Sequence, residues 1–380
     1  MPNILFAIDR DFASNSAVHV SALANELCLS GFDCAVAVPS NKQSVTECGE
    51  VRFHPLEFCE ADQLTGLFPN GAGPDIVHSW TPREITRKFC DALGQKFMFK
   101  QVVHLEDNEE LLIEKLHPSA SEAGFADDVN YPEQLSHPER YKDFLRRADG
   151  ITIIIEKLKE FVPAGVATLT LWPGVDTNLF YPRPADSELK RRYGVPINVQ
   201  VIVYPGNVHP ANAEEVRSLY LAVALLNREG YPTFLVRTGR DYCEFLPRGG
   251  KWIKPYLREL GFVAREQMPE LLALADVFVQ PGLVDRYNAY RFPSKLPEFL
   301  AMGKPTILPS TNVGLVLAHE QEALVLETAD GIRITEAVTR ICDDLVLRER
   351  LSAGAVSFVQ THLSWVRQAA KLMKFYEQIC

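Results

Sequence analysis

Short apolar runs alternate along the chain with longer stretches in which apolar residues recur every three or four positions. Such runs predict strands, and the stretches between them predict helices that cover a parallel sheet. The stretch 17–29, for instance, places Val20, Leu23 and Leu27 on one helical face. The pattern therefore predicts an α/β protein built from Rossmann-like units.

The predicted strands form two series, separated by a proline-rich segment. Residues 173–184 contain three prolines and one glycine, which cannot continue a helix or a central strand, so we predict an interdomain linker. The flanking domains are then 1–172 and 185–363. Ligands bind at the carboxyl ends of strands in open parallel sheets, so two facing sheets predict one cleft. The first series comprises 4–8, 35–38, 75–78, 101–104, 151–155 and 168–171, and the second comprises 199–204, 233–236, 261–263, 277–280, 306–308 and 323–326, with helices over 212–227 and 294–302.

Composition narrows the class of protein. At about 100–200 residues per domain, 380 residues fit two domains with large cores. The formal charge of −10 argues against general nucleic-acid binding. None of the eight cysteines forms a CxxC pair, so we expect reduced thiols rather than a zinc site or disulfides. Without a signal peptide or about 18 consecutive apolar residues, we expect a cytoplasmic protein that at most lies on a membrane.

The segment 291–305 carries the most informative candidate chemistry. We expect Ser294 to cap a short helix that ends at Gly303. A helix N-terminus at the carboxyl end of a strand favours anions, so Lys295 in the first turn suits a phosphate. Glu298 follows on the same face, where its carboxylate can accept two hydrogen bonds from a sugar diol. The spacing fits a surface Lys–Glu ion pair equally well.

A histidine ends each of two predicted strands. His104 at the carboxyl end of its strand can donate a hydrogen bond to a transferring sugar, or take a proton near pH 7. The alternative is a structural histidine that is held by hydrogen bonds. For a single histidine considered without its family, this alternative is the favoured one. The same two alternatives apply to His78.

The first turn between strand and helix offers polar side chains but no dinucleotide motif. The chain has no glycine before Gly31, so the GxGxxG pattern is missing there and binding of NAD or FAD is disfavoured. Asp11, Ser14 and Asn15 can hydrogen-bond a polar acceptor, although Ser14 or Asn15 equally suits a helix cap. The motifs GxSxG, GxxxxGK[ST] and HExxH are also missing, and we expect no metal.

Two charged stretches complete the pattern. The region 105–133 holds nine acidic residues and one basic residue without the spacing of a calcium loop, so we expect a solvated insertion. Arg83, Arg87 and Lys88 form a small basic cluster on a predicted helix. A solvated helix face is the favoured interpretation of this cluster, and weak peripheral contact with an anionic membrane is the alternative.

Several motifs occur together at a family spacing. Residues 173–180 read PGVDTNLF, residues 204–207 read YPGN, and residues 298–305 read EFLAMGKP, with further matches at 75–78 and over 260–281. Along essentially its whole length, the chain resembles the retaining glycosyltransferases of glycosyltransferase family 4. This resemblance implies a GT-B fold, in which two Rossmann-like domains face each other across a cleft. It also implies that the C-terminal helix, 364–380, packs back on the N-terminal domain.

The resemblance also implies roles for residues at matching positions. Glu298 would bind the ribose of the donor nucleotide, and Gly206 would let backbone approach its phosphates. Lys295 and Arg291 would stabilise the departing diphosphate, while His104 would line the donor-sugar pocket. The remaining implied residues are Asn207, Arg237, Phe262, Val263, Phe292, Pro293 and Ser294 on the donor side, and Asp11, Ser14 and Asn15 on the acceptor side.

The chain departs from the family pattern at two places. Tyr290 stands where the family has an acidic residue, and 208–212 lacks the usual basic pair. The implied reaction moves a sugar from a nucleoside diphosphate sugar to the hydroxyl of a glycan, lipid or small molecule, with retention and without a metal or a further cofactor. The departures favour an alternative, a non-catalytic GT-B protein that binds a nucleotide sugar or a partner protein. A sugar phosphorylase or a nucleotide-sugar epimerase is a third interpretation.

Overall fold

The computed structural model describes residues 2–116 and 131–380. Within these residues the chain forms two compact units. One comprises the residues up to Gly174 together with 290–292 and 365–380, and the other comprises Val175–Ala289 and Pro293–Ser364. We predicted a domain end at 172 and a linker over 173–184, and the units divide at Gly174.

Regular elements alternate between strand and helix over most of both units. The strands are β1 Asn3–Ile8, β2 Asp33–Val38, β3 His54–Glu57, β4 Ile76–Trp80, β5 Lys100–Leu105, β6 Gly150–Ile153, β7 Ala167–Thr170, β8 Gln200–Pro205, β9 Thr233–Thr238, β10 Leu257–Glu259, β11 Phe278–Val279, β12 Thr306–Pro309 and β13 Leu324–Leu326. The α-helices are α1 Asn15–Leu29, α2 Leu64–Leu67, α3 Glu84–Gly94, α4 Glu109–Leu116, α5 Arg140–Arg146, α6 Ser187–Arg192, α7 Ala213–Arg228, α8 Met268–Ala273, α9 Leu296–Ala301, α10 Gly331–Asp343, α11 Leu345–Phe358 and α12 Trp365–Ile379.

A parallel sheet forms the centre of the first unit, with its described strands in the order β3-β2-β1-β4-β5-β6-β7. The six residues of β1 are buried on both faces, as expected of a central strand covered by helices. The strand order reverses at β1, because β2 and β3 lie on one side of it and β4 lies on the other. Ligands of such sheets bind at this reversal, outside the carboxyl ends of β1 and β4.

The C-terminal helix α12 belongs to the first unit. It packs on α1 and buries Leu372, Phe375 and Tyr376 in the core of that unit. A Cβ atom at Gly150 would lie 2.7 Å from the Phe375 ring, and one at Gly174 would lie 2.5 Å from the indole of Trp365. The helix therefore approaches the rest of the unit closely at both of its ends.

In the second unit, two parallel ladders, β10-β9-β8 and β11-β12-β13, adjoin through their edge strands β8 and β11. Ile202 pairs with Val277, and the N–H of Asp276 donates to the carbonyl of Val201 at 2.9 Å. The combined strand order reverses between β8 and β11. The carboxyl ends of these two strands are therefore the expected ligand site of this unit.

Two local predictions were wrong, and one strand was missed. The predicted strand 261–263 is a loop in which Gly261 has φ +65°, and the strand of this region is β10. Strand β3 was not predicted, because its sequence HPLE contains a histidine, a proline and a glutamate. The helix predicted over 294–302 is the shorter α9, whose described residues show no side-chain cap, so Ser294 does not cap it. Gly303 follows α9 with φ +63°, as expected of a helix end.

Among the described residues, the helices are all too short or too polar to cross a bilayer.

Candidate functional site

Two glycine-containing loops lie against each other in the second unit. Gly206 follows β8, and Gly239 follows β9 with φ +95°. A Cβ atom at position 239 would lie 2.4 Å from the carbonyl oxygen of Gly206, so this packing requires glycine. The Asn207 side chain joins the same loops, because its Oδ1 accepts the Arg240 N–H at 2.8 Å. The loop predicted to approach phosphates is thus fixed against a second glycine loop.

Lys295 lies directly over the Gly206 loop. Its Nζ would be 3.1 Å from a Cβ atom at Gly206, and it lies 3.3 Å from the hydroxyl of Tyr204. The ammonium also lies 4.4 Å from the centroid of the Tyr204 ring, within the range of a cation–π contact. The structure therefore brings together the cation and the glycine for which the family resemblance implies contact with one diphosphate.

Glu298 lies in the first turn of α9, just after Lys295. Its Oε1 is 3.1 Å from Nη1 of Arg265, and its side chain is 15% exposed. Pro293 and Ser294 precede α9, with Ser294 exposed. A helix of six residues adds little dipole of its own, so positive charge at this site comes from side chains. The role of Glu298 in binding ribose stays a prediction.

Arg237 is engaged within the second unit. Its guanidinium is 4% exposed and pairs with Asp241 at 2.8 Å and Glu259 at 3.1 Å. The hydroxyl of Tyr220 donates to the same Glu259 carboxylate at 3.1 Å. To neutralise a diphosphate, as predicted, Arg237 would have to leave these two carboxylates.

The loop after β10 presents Phe262 and Val263. The Phe262 side chain is 73% exposed, whereas Val263 is half-buried. The N–H of Gly239 donates to the carbonyl of Gly261 at 2.7 Å, which ties this loop to the glycine loops. An exposed aromatic ring held in this way offers a surface on which a base can stack.

Residues 290–292 group with the first unit, apart from the rest of the predicted donor set. Tyr290, which replaces an acidic residue of the family, donates from its hydroxyl to Glu160 at 2.7 Å. Phe292 is buried. Burial raises the pKa of Asp107, and Arg291 is one of the cations that oppose this rise. Arg291 is therefore close enough to act electrostatically on the first unit.

In the first unit, Glu106 follows β5 as a carboxylate held by several donors. It accepts hydrogen bonds from Nε1 of Trp80 at 2.7 Å and from the hydroxyl of Ser16 at 2.6 Å. Nδ1 of His19 lies 3.6 Å away. Burial acts to raise the pKa of Glu106, but His19 and Ser16 together with the nearby His104 lower it to about 2. Glu106 is therefore ionised at neutral pH, with 14% of its side chain exposed.

One arginine stands among three carboxylates beside Glu106. Arg83 lies 2.5 Å from Asp9, 3.6 Å from Asp107 and 3.9 Å from Glu109. Burial raises the pKa of Glu109 to about 7, and the charge of Arg83 only partly opposes this. The expectation of a solvated acidic insertion is therefore wrong for Glu106 and Glu109. Glu122, Asp127 and Asp128 of that region lie outside the described residues.

His104 is buried beneath Trp80. The two rings stack with centroids 3.9 Å apart, and Nδ1 of His104 lies 2.8 Å from the hydroxyl of Thr152. Burial lowers the pKa of His104 to about 3, so the ring is neutral. This geometry favours the structural alternative for His104. Contact with a donor sugar stays a prediction that requires Trp80 to move.

The predicted acceptor-side residues lie at the start of α1. Ser14 caps the helix by accepting the Ala17 N–H at 3.3 Å, as one alternative foresaw. Asp11 accepts a hydrogen bond from the side chain of Asn41 at 2.8 Å, and Asn15 is exposed. Of these three, Asn15 is the most accessible to an acceptor.

The basic cluster on α3 is largely paired with carboxylates. Arg87 makes a bidentate contact with Glu84 and a further pair with Asp91. Arg83 is buried among its acidic neighbours, as described above, and Lys88 pairs with Glu133 at 2.7 Å. These pairs reduce the charge offered to an anionic membrane, and peripheral contact stays a prediction.

The amino-acid sequence of the second unit matches a known family. Residues 199–344 fit the family described as glycosyl transferases group 1. We call this region the group 1 domain, after the family that it resembles.

The curated relatives that the chain matches are glycosyltransferases. The D-inositol 3-phosphate glycosyltransferase of Thermobispora bispora is 26% identical over 218 residues, which are 54% of this chain and 49% of the relative. The alpha-D-kanosaminyltransferase of Streptomyces kanamyceticus is 24% identical over 207 residues, 51% and 49% of the two chains. The chain thus spans about half the length of the curated relatives it matches.

Solved structures establish the fold around the group 1 domain. HepE of Anabaena in complex with UDP-glucose has a TM-score of 0.73 at 14% identity, over 100% of both chains. Sucrose-phosphate synthase from Thermosynechococcus elongatus has a TM-score of 0.68 at 15% identity, over 100% of this chain and 99% of the other. The expected GT-B fold is confirmed.

Sequence reasoning missed several residues that the structure places beside the predicted ones. In the group 1 domain, the sequence does give a signal for Gly239, because a glycine directly follows the buried strand β9. In the first unit, Glu106 and Arg83 were assigned to solvated charge runs, because a charge pattern does not reveal burial. Thr81 has φ +94° after β4 and is fully buried, a strain typical of functional sites that no sequence pattern announces.

Proposed function

We propose that this protein is a glycosyltransferase that moves a sugar from a nucleoside diphosphate sugar to an acceptor hydroxyl, with retention and without a metal. The observation that carries the proposal is Lys295 lying over the Gly206 loop, at the carboxyl end of β8 in a group 1 domain. A flexible ammonium beside a glycine loop suits a diphosphate, because backbone approach and positive charge coincide there.

The donor would be bound by the second unit. Lys295 would neutralise the diphosphate, Glu298 would accept hydrogen bonds from the ribose, and Phe262 would stack on the base. UDP is the first nucleotide to test, because the Anabaena neighbour was solved with UDP-glucose.

Retention would follow from attack of the acceptor on the face that the diphosphate leaves. The bond between the anomeric carbon and the β-phosphate oxygen breaks, and the acceptor oxygen bonds to the same face. The hydroxyl proton passes to the departing phosphate. Lys295 stabilises the charge that grows on the leaving group, which is the main electrostatic work of the site. The acceptor would be bound by the first unit, near Glu106 and the start of α1.

Nucleotide binding is tested by the melting temperature with UDP, GDP, ADP, CDP and TDP, each with Mg²⁺ and with EDTA. We expect one nucleotide to raise it in EDTA, since a ligand at about 100 times its Kd adds roughly 2.7 kcal/mol. A shift that needs Mg²⁺ would contradict metal independence. If none shifts the transition, the proposed donor site is wrong.

Replacing Glu298 by alanine tests the ribose contact. Loss of charge-assisted hydrogen bonds is expected to weaken binding of the stabilising nucleotide by about 1–3 kcal/mol, measured by titration calorimetry. Arg265→Ala is the matched control, because it removes the ion pair of Glu298 but keeps the carboxylate. Equal losses in both variants would assign the effect to the ion pair rather than to ribose.

A non-catalytic binding protein is the second candidate. It is favoured by the burial of Arg237 between Asp241 and Glu259, because this arginine is then not free to replace the basic pair that 208–212 lacks. Turnover of the sugar form of the stabilising nucleotide distinguishes a glycosyltransferase from a non-catalytic binding protein. A catalyst releases sugar whose anomeric configuration is first retained, as followed by NMR, whereas a binding protein is stabilised by nucleotide without turnover.

A further inference from the structure

A chain of hydrogen bonds joins the C-terminal helix α12 to β5 within the first unit. The hydroxyl of Tyr376 lies 2.7 Å from Nδ1 of His78, and Nε2 of His78 lies 3.0 Å from the hydroxyl oxygen of Thr152. That oxygen lies 2.8 Å from Nδ1 of His104. All four side chains are buried. The chain ends at Nε2 of His104, which has no hydrogen-bond partner among the described residues.

The hydrogen-bonding strengths of the groups at its two ends fix the direction of this chain. Burial lowers the pKa of both histidines, so each ring is neutral and carries a single N–H. If Tyr376 donates to His78, then His78 donates from Nε2 to Thr152, and Thr152 donates to Nδ1 of His104. Every contact then holds one proton. This order leaves the N–H at Nε2 of His104 without an acceptor among the described residues, and the reverse order leaves the Tyr376 hydroxyl without one. A phenol hydroxyl is a stronger hydrogen-bond donor than an imidazole N–H, and an imidazole nitrogen is a stronger acceptor than a phenol oxygen, so the first order sacrifices the weaker hydrogen bond.

We infer that Tyr376 is a positioning residue that, through His78 and Thr152, holds His104 with its proton on Nε2. Tyr376 lies on α12, far along the chain from β5, which carries His104. It rests on the proposed function for its effect on turnover, but not for its effect on the tautomer.

The oriented ring supports the carboxylate beside it. His104 stacks under Trp80, and Nε1 of Trp80 donates to Glu106 at 2.7 Å. The hydrogen bond at Nδ1 fixes the orientation of the His104 ring. Because the indole of Trp80 stacks on this ring, the same hydrogen bond helps to fix the indole in the orientation in which it donates to Glu106. Tyr376 would thereby contribute to the geometry of the proposed acceptor side without touching a substrate.

The tautomer is read by ¹⁵N NMR of histidine-labelled full-length protein, with the His104 signals assigned by their loss in His104→Gln. We expect the proton on Nε2 in the unmodified chain. In Tyr376→Phe the ring stays but the donor is lost, so the two proton orders become comparable and both forms of His104 are expected. Turnover of UDP-glucose, or of the sugar of whichever nucleotide binds, is expected to fall about threefold to tenfold in kcat, with KM within twofold.

Two controls separate positioning from packing. Thr152→Val cuts the chain and is expected to mix the tautomers, whereas Thr152→Ser keeps the hydroxyl and is expected to preserve the Nε2–H form. Adding Tyr376→Phe to Thr152→Val should change nothing more. Phe375→Leu alters the neighbouring core contact of α12 but leaves the chain intact, so the tautomer and kcat are expected to stay unchanged.

Each outcome decides the inference. A proton on Nδ1 of His104 in the unmodified chain, or a Tyr376→Phe spectrum with a single unchanged tautomer, would overturn it. An altered tautomer with unaltered kcat would overturn the positioning role. If the unmodified protein turns over no nucleotide sugar, the proposed function fails, while the tautomer measurements still decide whether Tyr376 orients His104.

Discussion

Two glutamates three positions apart in the first unit differ sharply in their ionisation. Glu106 accepts hydrogen bonds from Ser16 and Trp80, and its pKa falls to about 2 despite burial. Glu109 is buried, with one described hydrogen bond from Ser136, and its pKa rises to about 7. The sequence presents both simply as members of an acidic run. Their chemistry depends on which donors the fold brings to each.

The raised pKa of Glu109 predicts a stability that falls as pH rises. Its pKa is about 7 in the folded chain against an ordinary 4.5, so the folded state holds the extra proton between these values. Ionisation above pH 7 then costs folding on the order of 3 kcal/mol at most. We expect Glu109→Gln to raise the melting temperature at pH 8 by several degrees and to change it little at pH 5.

The matched control is Glu114→Gln on the same helix α4, where the side chain is exposed. It removes the same charge without relieving burial, so its effect should be small at both pH values. Equal effects of the two variants at pH 8 would show that net charge, rather than the burial of Glu109, is responsible.

At the scale of elements, apolar runs located most of the strands, and the exceptions share a cause. Strands β3 and β10 lie at sheet edges, where half-exposed positions accept polar residues and the apolar signal is lost. Helix α9 is shorter than predicted because Lys295 and Ser294 belong to the loop over Gly206 rather than to the helix. Loops that meet a ligand site follow tertiary contacts more than local preference.

The contact between the two glycine loops gives a prediction at this scale. Gly239→Ala places a methyl group 2.4 Å from the Gly206 carbonyl oxygen at φ +95°, so we expect a loss of at least about 2 kcal/mol in the second unit. Nucleotide binding should weaken as well, because the Gly206 loop must shift. Thermal unfolding and calorimetric titration measure the two effects.

Gly230→Ala is the control for the backbone conformation alone. Gly230 has φ +89°, and the described residues place no atom within 4 Å of a Cβ there. Its loss should be about 1–2 kcal/mol without an effect on nucleotide affinity. If both variants bind nucleotide equally, the loop contact does not matter to the site.

For the whole molecule, the cores of the two units are separate clusters of buried residues. Leu372 on α12 is fully buried in the core of the first unit, and Leu351 on α11 is fully buried in that of the second. The chain therefore leaves the second unit at Ser364 and completes the first unit with its last helix. A domain boundary drawn by chain position alone would miss this return.

Separate cores predict that the two units respond to different changes. Leu372→Ala should destabilise the first unit and Leu351→Ala the second, each by about 2–5 kcal/mol. The stabilising nucleotide should raise the midpoint temperature of the transition that Leu351→Ala lowers, and it should leave the midpoint of the other transition unchanged. Differential scanning calorimetry resolves the two transitions. A nucleotide effect confined to the transition lowered by Leu372→Ala would move the donor site to the first unit.

The amino-acid sequence alone specifies the α/β class, the two series of strands, the proline-rich segment between them and the motifs of the group 1 domain. Each of these depends on local periodicity or on residue types at fixed spacing, which the chain carries without folding. The tertiary structure alone decided that Lys295 lies over Gly206, that Arg237 is enclosed by carboxylates, and that Glu106 and Glu109 ionise differently. It also decided that Tyr376 reaches His104 through two other strands. These features depend on burial and on partners distant in sequence, because the energy of a charge or a hydrogen bond is set by what surrounds it.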